Sequence, residues 1–143
     1  MRIEKHIESL KEVLDEIESA LKDPGGLLKH QRRLAIMLSL GICELVEIYF
    51  HKLGIMKSGS RIKHTFFKKK DAKEEISNQI AISPDDVKNL DEILNIAKSV
   101  EEKRDDMFYG SPVNEEELLK DKINQFLELK NLIEKEVGGV IEK

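Results

Sequence analysis

The chain is nearly without cysteine: Cys43 stands alone among 143 residues, so no intrachain disulfide can form. That count suits a reducing, cytoplasmic location. No glycine-rich loop of the Walker or dinucleotide type occurs, which removes the two commonest phosphate cradles. No Cys/His cluster has zinc spacing, so neither a metal nor a cofactor is expected. Strand-like alternation of useful length is missing, as are internal repeats and low-complexity tracts. The opening residues, MRIEKHIESLKEVL, alternate charge and apolar side chains at helical spacing rather than forming the apolar core of a signal peptide. The most apolar stretch, LAIMLSLGICELVEIYF (34–50), is broken by Glu44 and Glu47 and is shorter than a membrane span needs. These absences leave a soluble, cytoplasmic protein with no membrane partner as the expectation.

What remains is helix. A chain of this length buries roughly two thirds of its unfolded surface, enough for one domain over residues 1–143. Ile3, Ile7, Leu10, Val13, Leu14, Ile17 and Leu21 recur in steps of three and four and predict a helix over 3–21. KDPGG (22–26) ends it. A second helix follows over about 27–53, apolar nearly all round from Leu34 to Phe50 and therefore central. Gly41 and Ser39 would let a neighbour approach it closely.

Residues 61–80 suggest a helix with an irregular first turn. Ser83, Pro84, Asp85 and Asp86 carry N-cap, first-turn and dipole signals for a fourth helix running to about Phe108. Gly110, Ser111 and Pro112 stop it. Asn114 and Glu117 then form a capping-box pattern ahead of a last helix over 115–137, closed by Gly138 and Gly139. The expected fold is all-α: an antiparallel bundle of about five helices with short loops.

Charge is distributed unevenly. The net charge is −4, yet Lys57, Arg61, Lys63, Lys68, Lys69, Lys70 and Lys73 crowd one stretch opposed only by Asp71. His64, Phe66 and Phe67 lie among them. Such a cluster can engage phosphates, and flanking aromatics can stack on unpaired bases. Arg61, Lys63, His64, Lys68, Lys69 and Lys70 are therefore the candidate nucleic-acid contacts. The plainer reading is a solvated loop anchored by its phenylalanines. Lys29, His30, Arg32 and Arg33 form a second basic group. Glu47 and His51, spaced i and i+4, are too few to hold a metal and more simply touch each other along the helix. Glu44 is embedded in apolar sequence. It needs either a partner, with Arg104 the natural one, or a narrow exposed strip.

EEKRDDMFYGSP (101–112) concentrates the remaining signal. Arg104 and Tyr109 stand roughly 140° apart on an ideal helix. They converge only if the helix ends or bends between them, and Gly110 and Pro112 supply a break. In this layout the chain resembles HEPN-domain proteins, the helical partners of minimal nucleotidyltransferases. These have a long apolar second helix with an internal acidic residue, a later helix ending in Arg-x4–6-His, and one more helix. Here those features are residues 27–53 with Glu44, Arg104-Asp105-Asp106-Met107-Phe108-Tyr109, and 115–137.

The resemblance implies a homodimer and an RNA-associated or toxin–antitoxin-type module. Such a module is a metal-independent ribonuclease or a catalytically degenerate relative, with a nucleotidyltransferase-type protein partner. It casts Arg104 as phosphate binder, Tyr109 as hydrogen-bond donor and Glu44 as the group orienting Arg104. Tyr109 replaces the motif histidine and Asp105 the usual polar neighbour. A phenol with a reference pKa of about 10 is a poor base at neutral pH, so binding survives the exchange better than catalysis does. His64 or His51 would have to supply the base. The alternative function is a non-enzymatic helical protein–protein interaction module.

Overall fold

The computed structural model describes residues 2–102, 104 and 116–139, and these are helical with no strand. Four long helices do most of the packing: α1 (Ile3–Lys22), α2 (Gln31–Leu53), α4 (Leu90–Glu101) and α5 (Glu116–Val137). A short α3 (Ala72–Ser77) lies between α2 and α4. Side-chain bonds fix the helix directions. His6, at the start of α1, meets Glu44 near the end of α2, so these two run antiparallel. Tyr49 donates to the Lys88 carbonyl while Ser39 donates to Glu101, so α4 runs back along α2. Asn89 reaches Glu136, and Lys122 reaches the Ser99 carbonyl, so α5 runs antiparallel to α4. Successive long helices therefore alternate up and down.

The core follows the sequence periodicity. α1 buries His6, Leu10, Val13, Ile17 and Ala20; of the anticipated stripe Leu10, Val13 and Ile17 are in the core, Ile3, Ile7 and Leu14 are half-buried, and Leu21 is exposed. α2 buries side chains on nearly every face, including Tyr49 and Phe50 at 0% exposure. The helical stretch Leu27–Leu53 is long and apolar enough to cross a membrane by length and composition, more than the 34–50 segment suggested. Its most apolar window is 78% buried against the other helices, which explains its composition as that of a core helix. Gly41 sits where three helices meet. A Cβ built there would lie 2.5 Å from the Phe126 ring on α5 and 2.9 Å from Val13 on α1. The close approach read from the sequence is made at this glycine.

The segment between α2 and α4 departs from expectation. Residues 61–80 do not form one helix; they form a 3-10 turn (His64–Lys68) and then α3. Phe66 and Phe67, adjacent on the 3-10 turn, are both buried. Lys69 is then extended. Ser83 does cap, accepting from the Asp85 N–H at 3.3 Å, but it caps only the 3-10 turn Pro84–Asp86. Val87 turns extended and buries itself. Asn89 adopts φ 64° before α4 begins, a left-handed conformation that asparagine tolerates. A Met56–Ile80 bridge, with Lys57 N–H donating to Gln79 and Ala81 N–H to Ile55, ties the two ends of the excursion together. The described part of α4 ends before the stop at Gly110–Pro112, which lies outside the described residues, as does the Asn114 cap. Gly138 closes α5 at φ 83°, its N–H donating to Glu134 at 2.9 Å.

Candidate functional site

A cleft of about 620 Å³ opens where the 54–89 excursion folds over the middle of α2. Its walls come from four places, and α1 supplies His6. α2 supplies Ile36, Ser39, Leu40, Cys43, Glu44 and Glu47. The loop supplies Arg61, Ile62, Lys63 and His64. Arg104 closes it from beyond α4. Five of the nine residues proposed from sequence thus meet in one place: Glu44, Arg61, Lys63, His64 and Arg104. Lys68, Lys69 and Lys70 are exposed and do not line it. Lys69 pairs with Glu75 at 3.1 Å and lies 6.0 Å from the Phe66 ring. Tyr109 lies outside the described residues. The phenylalanines of the basic stretch are buried in the core, so they serve as anchors and offer no face to a base.

Two acidic groups build the floor. Glu44 and Glu47 sit one turn apart on α2 and both reach His6 Nδ1 on α1, at 2.7 and 2.9 Å. The other oxygen of Glu47 accepts the Ile62 N–H at 2.8 Å, which fixes the loop to the helix. Hydrogen bonds from Glu44 and then Glu47 raise the His6 pKa from 6.5 to about 9, against the opposing effect of burial. His6 is therefore an imidazolium at neutral pH. Glu44 thus has a partner that the sequence did not point to: His6 from α1. Glu44 and Arg104 share the cleft.

His51 packs its ring 5.2 Å from that of His6, tilted by 37°. Burial, then the neighbouring His6 charge, lowers its pKa, so it stays neutral. The ligand atoms of His6, Glu44 and Glu47 all lie within 4.8 Å of one another. That donor set fits a divalent cation in kind, but the proton on His6 already bridges both carboxylates.

A third carboxylate, Glu101, is buried against the cleft residues Ser39 and His64 without itself lining the cleft. Glu101 is 0% exposed. One oxygen accepts from the Ser39 hydroxyl, and the other lies 3.4 Å from His64 Nδ1. Arg104 follows it by three residues, one helical turn onward. Sequence reading missed Glu101 because EEKRDD looks like a solvated charge run. The signal was present in the α4 stripe, since Ile93, Ala97 and Glu101 fall at spacings of four.

Cys43 also lines the cleft, but burial, followed by the charges of Glu101, Glu47 and Glu44, pushes its thiol far up. It stays protonated and is no nucleophile. Chemically the cleft offers cations at its rim, one solvent-reachable imidazole backed by a carboxylate, and an apolar wall of Ile36, Leu40 and Ile62. Fold and cleft together define an all-α bundle with a cationic, histidine-bearing groove. Comparison of the chain with family models, with curated proteins and with solved structures finds no match in any of the three.

Proposed function

We propose that this cleft binds single-stranded RNA, in a HEPN-like module of the RNA-associated or toxin–antitoxin type. The observation that carries the reading is the convergence of Arg61, Lys63 and His64 from one segment with Arg104 from another, on an otherwise acidic chain. Guanidinium groups grip phosphate oxygens with two parallel hydrogen bonds, and a lysine adds a point charge. The apolar wall beside them suits the face of an unpaired base, which a duplex does not present. Lys68, Lys69 and Lys70 act at longer range, raising the local potential without gripping the ligand.

The reading is tested by fluorescence anisotropy with a labelled single-stranded RNA. Three phosphate contacts predict a log–log salt slope of about −2, so affinity falls roughly 20-fold between 50 and 200 mM salt. Replacing Arg61, Lys63 and Arg104 together by alanine removes most of the affinity and flattens the slope. Neutralising Lys68, Lys69 and Lys70 weakens binding by only a few-fold. Equal losses from the two triple variants would transfer the site to the lysine run.

A second reading, a protein-interaction module, has its own support. Ile36 and Leu40 are large apolar side chains left 40% and 37% exposed on α2 at the cleft edge. They fit a second copy of the chain or a nucleotidyltransferase-type partner. Ile36→Glu combined with Leu40→Glu would then change the solution mass, and the wild-type chain would show no salt-sensitive RNA affinity.

A further inference from the structure

We propose that His64 is the proton-transferring group of the cleft, held in place by the buried carboxylate of Glu101. The inference rests on the reading of the cleft as an RNA site and adds a reaction to it. His64 lies outside the Arg104…Tyr109 stretch, so the base comes from a different segment than the sequence resemblance would place it.

The geometry supports a defined division of labour. Glu101 is fully buried on α4, and Ser39 on α2 holds one of its oxygens. Its second oxygen faces His64 Nδ1 at 3.4 Å. Both facing atoms are buried and neither makes a hydrogen bond among the described residues, so the 3.4 Å contact is the one interaction between them. A buried carboxylate facing Nδ1 favours the tautomer with its proton on Nδ1 and leaves Nε2 as the acceptor. The His64 side chain is 37% exposed and lines the cleft, so its ring is reachable by a ligand. Of the other three histidines, His6 is committed to two carboxylates, His51 packs against its ring and His30 is paired with Asp23.

The step balances without metal or cofactor. His64 Nε2 takes the proton of a ribose 2′-hydroxyl. The 2′-oxygen bonds to the adjacent phosphorus, and the bond from phosphorus to the 5′-oxygen breaks. The departing 5′-oxygen takes a proton from water. The products are a 2′,3′-cyclic phosphate and a free 5′-hydroxyl. Arg104, Arg61 and Lys63 stabilise the negative charge that gathers on the phosphate oxygens. Glu101 is a positioning residue and His64 the catalytic one. The charged groups around His64 are Glu101 from α4, Arg104 beyond it, Arg61 and Lys63 from its own segment, and Glu44, Glu47 and His6 on the opposite wall.

The experiment uses the full chain in excess EDTA, one RNA oligonucleotide, and the same sequence with 2′-O-methyl groups. Wild type is expected to bind both and to cut only the RNA, leaving a cyclic phosphate. His64→Ala should slow cutting by about 100-fold or more. Its loss of affinity for the methylated strand should be far smaller than its loss of rate, and added imidazole should restore part of the rate. Glu101→Gln, which keeps the volume of the buried side chain, should slow cutting about tenfold in the wild-type background and leave His64→Ala no slower than it already is; a merely structural role would slow both alike. Binding of the methylated strand with no cutting of RNA by wild type overturns the inference and leaves the binding reading standing. So does cutting by His64→Ala at the wild-type rate. Equal slowing by Glu101→Gln in the wild-type and His64→Ala backgrounds overturns the role given to Glu101. Failure of both strands to bind overturns the RNA reading and the inference with it.

Discussion

Replacing His6 by alanine is expected to destabilise the protein by about 3–5 kcal/mol, the largest loss foreseen for any single side chain here. His6 is 3% exposed and stands between the Glu44 and Glu47 carboxylates. Without it the Glu44 and Glu47 carboxylates lose their shared cation, and of the polar links between α1 and α2 the Glu16–Arg33 pair remains. Thermal denaturation at pH 7 should show a melting temperature lower by roughly 10–15 °C.

The same contact makes stability depend on pH with a definite sign. The native pKa is raised from 6.5 to about 9, so the folded state holds the proton more tightly than the unfolded state. The His6 contribution is complete below about pH 6.5 and is lost as the pH climbs from 6.5 through 9. Urea titrations across that window should show stability falling by up to about 3 kcal/mol. His6→Gln, which cannot carry the charge, should remove most of this slope. A wild-type stability that stayed level from pH 6.5 to 9 would mean that His6 is not an imidazolium in the folded chain.

The second large effect concerns packing. Gly41→Leu should cost about 3 kcal/mol or more, because the space is already taken by the Phe126 ring and Val13. Gly41→Ala separates two opposing terms. Alanine gains roughly 1 kcal/mol of helix propensity. Its methyl group, however, needs the Phe126 ring to withdraw from a 2.5 Å approach, which costs about 1–3 kcal/mol. Net destabilisation is therefore expected, smaller than for leucine. Pairing Gly41→Ala with Phe126→Leu should recover part of the loss, since the smaller side chain gives way. A stabilised Gly41→Ala would show that α2 and α5 do not approach as closely as described.

The long helices were legible because their apolar residues repeat at 3.6 and their cores need little else. α1, α2 and α5 follow from Leu10, Val13 and Ile17, from the Leu34–Phe50 run, and from Ile123, Phe126 and Ile133. The excursion was less legible. Local signals at Ser83 and Pro84 are genuine, yet they act on one turn, and the burial of Val87 and the left-handed Asn89 delay α4 to Leu90.

The candidate site was half visible. Arg61, Lys63, His64, Arg104 and Glu44 stand out by residue type, and packing decides that they share one cleft. His6 and Glu101 were hidden for opposite reasons. His6 occupies a core position of α1 that a charge-rich helix disguises, and Glu101 extends the core stripe of α4 into a run of charges. Each is recognisable only when its partner on another helix is known.

The most direct test of the central idea, that two distant segments form one anion site, is a double-mutant cycle on RNA affinity at 100 mM salt. Arg61→Ala, Arg104→Ala and the double variant are compared with wild type. Residues gripping one phosphate group couple, and the cycle should return an interaction energy of at least about 0.5 kcal/mol. Losses that add to within about 0.3 kcal/mol would mean that the two arginines act independently and that no shared site exists.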